Sequence, residues 1–175
     1  MRPWRGAFAA CRSLPVLLLL AVSLASSCAR GRVAFQHTFE SPEALAAAVL
    51  DGVARKDRSF LESLALSEDE FRYLVWPELP AARPERNMPW DYVWKDLRQK
   101  SRAGLTETLV QHGGRRYQLA GVSFAGETTR HATYDVSRAT QLRVNTEDGE
   151  MQTIRLFGSV LASKGRYKVF SFVVD

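Results

Sequence analysis

Cysteine and histidine are both scarce in this chain, with two cysteines and three histidines among 175 residues. Two cysteines cannot make a disulfide-dense scaffold. His37, His112 and His131 do not form any of the usual spaced metal motifs, and no metal or cofactor is expected. A glycine-rich phosphate loop and a nucleophile elbow are both missing, so neither of those chemistries is indicated. Long apolar runs are missing after Leu24, whereas a bilayer span takes about 20 such residues. An excess of one charge is missing too. The net charge of +5 includes three arginines in the first 27 residues, which carry no acid; the remainder holds 21 basic against 19 acidic residues, a net +2. A domain so nearly balanced is a poor nucleic-acid binder.

What is present begins with an address. Arg2, Arg5 and Arg12 precede an apolar run from Leu14 to Leu24, and small residues follow, the three-part pattern of a secretory signal. Leu24, Ala25, Ser26, Ser27 and Cys28 resemble the lipobox of bacterial lipoproteins, in a relaxed form with Leu24 one place early and Ala25 in the usual leucine position. The resemblance implies that residues 1–27 are removed. Cys28 would then become the N-terminus, thioether-linked to diacylglycerol and usually N-acylated, for example with palmitate. Cysteine arithmetic agrees, because Cys11 lies in the removable segment and leaves one thiol to explain. Stable anchoring needs two lipid signals, a condition this modification meets without a transmembrane helix. Ala29, rather than Asp, follows the cysteine. In Gram-negative lipoproteins this resembles the group passed to the periplasmic face of the outer membrane. The alternative is an unmodified Cys28 in an ordinary secreted protein, or a retained signal-anchor.

Residues 28–40 are expected to be a lipidated tether, with Arg30 and Arg32 near anionic head groups and Phe35 and Phe39 able to dock on the domain. Residues 41–175 suit a single domain large enough to bury a core, with helices over about 41–112 and strands over about 115–175. "SPEALAAAVLDGVARKD" predicts a helix capped by Ser41, with Pro42 in its first turn and Leu45, Val49 and Val53 on one face. Gly52 is either a weak spot in it or a close helix contact. A short helix is predicted near residues 59–64, and Ser67 with Glu70 predicts a capping box. Four prolines between Pro77 and Pro89 exclude an interior helix or central strand there. A long helix should follow, capped by Asn87, with Trp90, Val93, Trp94 and Leu97 on its apolar side and Asp91–Lys95 and Asp96–Lys100 as surface pairs.

Beyond Gly113-Gly114 the texture becomes β-rich, and Gly126-Glu127, Asp148-Gly149 and Lys164-Gly165 predict hairpin turns. The apolar phase slips between Leu119 and Val122, which predicts a bulge at Gly121. Helices first and antiparallel strands after give an α+β domain, with N-terminal helices packed on one face of a curved sheet. "ALAAAVLDGVARKDRSFLESLA", the turn at Lys56-Asp57, the helix around Trp94 and the long terminal strands are similar to the superfamily of nuclear transport factors, ketosteroid isomerases and polyketide cyclases. The resemblance implies a cone-like, cystatin-like α+β roll around a pocket.

Trp90, Trp94, Tyr117 and Tyr134 are the candidates for lining such a pocket. Alternation in "RHATYDV" puts Ala132, Tyr134 and Val136 on one face and leaves His131 and Asp135 facing solvent, so no catalytic residue is assigned. The expected protein is a membrane-anchored lipoprotein, attached through Cys28, whose soluble domain binds a small apolar ligand or an envelope protein. The alternatives are an acid–base enzyme of the isomerase or cyclase type and a purely structural envelope component.

Overall fold

The computed structural model describes residues 33–174. The lipobox-like residues, with Cys28, lie outside the described residues. Helix α1 spans Pro42–Arg55. It begins where extended Ser41 accepts the Ala44 N–H at 3.1 Å, and it ends at Lys56, left-handed at φ 53. Gly52 is a close helix contact: a Cβ there would sit 2.7 Å from Leu61 of α2, Arg58–Leu64. The Asp57 carboxylate caps α2 by accepting the Phe60 N–H. A third helix, α3 at Glu68–Glu70, carries the expected capping box and widens into a π turn at Phe71–Val75.

The proline-rich stretch folds as three single 3-10 turns, Trp76–Glu78, Pro80–Ala82 and Pro84–Arg86. Each has proline in its first two positions, where a missing N–H costs no hydrogen bond. Asn87 does not cap the long helix. It lies at φ 44 and closes the last 3-10 turn, and α4, Trp90–His112, starts from Pro89 with no side-chain cap. The two pairs predicted on α4 are present, Lys95–Asp91 at 3.4 Å and Lys100–Asp96 at 2.8 Å.

Seven strands follow: β1 Gln118–Phe124, β2 Thr128–Arg130, β3 Asp135–Ser137, β4 Thr140–Asn145, β5 Met151–Ile154, β6 Ser159–Ser163 and β7 Arg166–Ser171. The arrangement is α+β, with helices N-terminal and strands C-terminal. The single curved sheet is not there. The strands divide into a three-stranded sheet ordered β1-β4-β5 and a four-stranded sheet ordered β2-β3-β6-β7, all antiparallel. Neither curves or closes into a cone, so the expected resemblance to the nuclear transport factor, isomerase and cyclase superfamily, and with it the cystatin-like roll, is overturned.

The physical reason is a set of breaks that sequence alternation passes over. Gly126 packs against Arg138, Ala139 takes φ 53, and residues 155–158 interrupt the run between β5 and β6. Gly126-Glu127 therefore marks a change of sheet, not a hairpin, because β1 and β2 do not pair. The turns at Asp148-Gly149 and Lys164-Gly165 are hairpins, with Gly149 at φ 80 and Gly165 at φ 73. The β1 bulge falls between Leu119 and Gly121, as predicted.

The buried side chains form two hydrophobic cores, the first reaching both sheets and the second only the four-stranded one. One joins α1, α2 and the C-terminal half of α4 through Leu45, Val49, Leu61, Leu105, Leu142 and Phe172. The other joins the π turn, the N-terminal half of α4 and the four-stranded sheet through Phe71, Val75, Trp94, Tyr134, Val136 and Leu161. Helix α4, about 34 Å long at 1.5 Å per residue, serves both. Between them the C-terminal segment passes so close to α4 and to the β5–β6 break that Gly104 and Gly158 face the carbonyls of Phe172 and Val173 with no room for a side chain. Thr108 of α4 adds a buried hydrogen bond to the Leu156 carbonyl at 3.0 Å.

Residues 33–40 lie on the domain. Phe39 exchanges two 2.8 Å backbone hydrogen bonds with Tyr167, and Arg166 donates to the Thr38 carbonyl at 2.8 Å. Phe35 packs against the second core and Phe39 against the first.

Candidate functional site

The seam between the two cores opens as a cleft of about 300 Å³ beside α4. Its apolar lining comes from Leu66, Trp94, Leu97, Leu105, Phe170 and Phe172, with Arg98 and Arg102 on the same stripe of α4. The spacing Trp94, Leu97, Arg98, Ser101, Arg102, Leu105 is that of one helical face, so this stripe was readable in the sequence. It attracts no notice there because it mixes apolar and cationic residues.

Ser101 is spent on the backbone, its hydroxyl accepting the Phe172 N–H at 3.0 Å. Trp94 is not. Its side chain is buried and stacked on Phe71, with ring centroids 5.3 Å apart, and its indole Nε1 has no hydrogen-bond partner. Leaving a buried donor unpaired costs about 1–3 kcal/mol. The rim also carries acid: Glu68 lies 4.0 Å from Arg98, and Glu62 pairs with Arg58 at 3.6 Å.

The four aromatic residues expected to line one pocket do not converge. Trp94 alone lines this cleft. Trp90 is half-buried against the second core, with the Arg72 guanidinium 4.7 Å above its ring. Tyr117 lies across the molecule in a groove between α1 and β1, its hydroxyl 2.9 Å from Nδ1 of His112. Burial and the positive charge of Arg115 lower the His112 pKa. Tyr134 is a core residue whose hydroxyl donates to the Val75 carbonyl at 3.1 Å. Burial, with the charge of Glu78 behind it, pushes the Tyr134 hydroxyl pKa well up.

"RHATYDV" is not one strand. Strand β2 ends at Arg130, residues 131–134 turn, and β3 starts at Asp135. His131 is half-buried, stacked on Tyr134 with centroids 4.4 Å apart, and its Nδ1 lies 3.3 Å from the Glu78 carbonyl. Glu78 holds this turn, accepting from the Thr133 hydroxyl at 2.6 Å and the Thr133 N–H at 3.1 Å. Partial burial raises the Glu78 pKa, but these hydrogen bonds outweigh it and leave the group more acidic than usual.

Sequence reasoning missed one pair. Glu70, at the capping box, and Lys168, on β7, are buried at 2% and 1% side-chain exposure and 3.5 Å apart. Glu70 accepts the Ser67 N–H at 2.7 Å and the Gln36 N–H at 2.5 Å, and Lys168 donates to the Gln36 carbonyl at 2.7 Å. Burial lowers the Lys168 pKa, and Glu70 opposes that shift. Neither residue lines the cleft. Among the described residues no group of three or more His, Cys, Asp or Glu is placed to hold a metal ion, and no helix is long and apolar enough to cross a membrane. No protein-family model matches this chain, and no curated protein or solved structure matches it either.

Proposed function

We propose that this is a membrane-anchored bacterial lipoprotein, attached through Cys28, whose domain binds a small apolar ligand without catalysis in the cleft beside α4. The observation that carries the ligand half is a cleft floored by the apolar groups of Leu66, Leu97, Leu105 and Phe172, with Arg98 and Arg102 on its wall. Pockets for small molecules pair a mostly apolar wall with a few polar groups that fix orientation. An aliphatic body would cover the floor, and an acceptor group would meet the guanidinium of Arg98 or Arg102. A medium-chain fatty acid has both parts. The fully buried carboxylate, Glu70, already serves Lys168 and two backbone N–H groups, which speaks for binding over general-base chemistry. Export and anchoring are supported by the lipobox-like residues around Cys28.

Two measurements test the two halves. The intact mass of the mature protein should start at Cys28 and include acyl chains, and Cys28→Ser should lose both the mass and the membrane association. An unmodified thiol in a soluble protein would end the anchor reading. A dansyl-labelled undecanoate should bind the Cys28→Ser protein with a blue-shifted emission, and Ala65→Phe, which fills the cleft wall, should abolish it. Equal binding by both proteins would place the probe elsewhere and sink the cleft.

A further inference from the structure

The docked segment at residues 33–40 determines which way an anchored domain can face. It is pinned along β7 by the Phe39–Tyr167 backbone pair, by Arg166 on Thr38 and by Lys168 and Glu70 on Gln36. The stretch of sequence between Cys28 and the docked segment therefore ends at Val33, not at α1. Five residues reach at most about 18 Å fully extended, against roughly 45 Å for a leash running to Ser41 at the same rise. A domain of this length has a radius of gyration of about 14 Å and is roughly 37 Å across. A leash half that width cannot let the far side of the domain reach the lipid.

What surrounds the exit point suits a lipid surface. Val33, Ala34 and Phe35 run beside an apolar groove of about 390 Å³ that also takes in Leu74 and Leu161, and Lys164 and Arg166 stand on its edge. Tyr73, next to Leu74, is half exposed, and Arg72 lies 5.1 Å from its ring. Arg30 and Arg32 precede the groove in the chain. Glu40 is paired with Arg166 at 3.4 Å. Aromatic and aliphatic groups beside cations form the composition that lies at a membrane interface, and each cation near an anionic surface adds about 1 kcal/mol.

We infer that this face, formed by the Val33–Phe35 strip, Leu74, Tyr73 and Lys164, rests on the surface of an anionic phospholipid membrane and holds the domain in one orientation. The inference rests on the lipoprotein reading. The contrast position is Val110, exposed near the C-terminal end of α4, where Leu109 packs on the first core while Phe35 packs on the second.

The test uses the lipidated protein in vesicles of phosphatidylethanolamine and phosphatidylglycerol. With Cys28 acylated, Ala34→Cys and Val110→Cys each present one thiol for an environment-sensitive fluorophore. Spin-labelled lipids should quench the label at position 34 severalfold more than the label at 110, and Lys164→Glu should weaken that quenching. Equal quenching at both positions, or stronger quenching at 110, in a protein whose mass shows the acyl chains would overturn the orientation and leave the anchor standing. A missing acyl mass would overturn both.

Discussion

Lys168 of β7 and Glu70 of α3 meet 3.5 Å apart in the interior, and both also bond to the backbone of Gln36, one to its carbonyl and the other to its N–H. Three segments far apart in the chain are thus joined by two buried charges. Removing one partner of a buried pair leaves the other uncompensated and costs about 3–5 kcal/mol. Lys168→Met should show a loss of that size in urea unfolding, and Lys168→Met with Glu70→Gln should recover part of it. An undiminished loss in the double variant would mean that the hydrogen bonds to Gln36 and Ser67, not the charges, dominate.

Stability should fall on mild acidification because of His112. Burial, followed by Arg115, lowers its folded pKa below the ordinary histidine value of 6.5. The unfolded chain then binds the proton more readily than the folded one, so stability is lost as pH drops from 6.5 through the folded pKa and is complete above 6.5. Protonation also makes Nδ1 a donor, so that the Tyr117 hydroxyl 2.9 Å away must accept from it. Unfolding midpoints between pH 7.5 and 5 should move in His112-containing protein and move less in His112→Gln. Parallel curves would assign the acid sensitivity to another group.

Gly158→Ala should be more damaging than its two added hydrogens and one carbon suggest. The new Cβ would collide with the Val173 carbonyl, which is backbone and cannot rotate away. Overpacking of this kind costs about 1–3 kcal/mol or more. Gly104→Ala meets the Phe172 carbonyl in the same way. Gly149→Ala is a different case, since nothing lies within 4 Å and only its φ of 80 is strained. The expected order of thermal midpoints is wild type, then Gly149→Ala, then the two seam variants.

Tyr134→Phe removes the hydroxyl that serves the Val75 carbonyl and leaves the ring in place. The expected loss is about 1–3 kcal/mol, the cost of a buried acceptor left unpaired. His131, stacked on the same ring, should contribute less, because its Nδ1 contact to Glu78 is 3.3 Å long and the side chain is only half-buried. A larger loss from His131→Ala than from Tyr134→Phe would reverse this ranking.

The helical half of the domain was legible because its signals are local. Ser41 and the Ser67–Glu70 box each act within three residues, and each was found at its helix start, whereas the Asp57 cap of α2 was not read from the sequence. The sheets were not legible in the same way. Alternation reports which face a residue takes but not which strand it meets, so the run from Arg166 to Ser171 reads the same in one curved sheet or two. The division depends on Gly126, Ala139 and Gly158 acting at three separated points, and on a C-terminal segment that returns to fill the space between Gly104 and Gly158. "RHATYDV" failed for a related reason: a four-residue turn of polar and small residues can mimic a strand when it contains one tyrosine. The cleft was half legible. The helical spacing of Trp94, Leu97 and Leu105 is plain, but the Trp94 donor could be found unpaired only once Phe71 and the seam were in place.

The docked segment also has a mechanical meaning. A pull applied at the N-terminus would not load α1 first. It would pass into β7 through the Phe39–Tyr167 bonds and the Arg166 clamp on Thr38, and then into the buried charge at Lys168. These contacts form a strain relief: peeling eight residues from the edge of the four-stranded sheet must precede any tug on the helices, so the cores of the domain are shielded from forces borne by whatever precedes Val33.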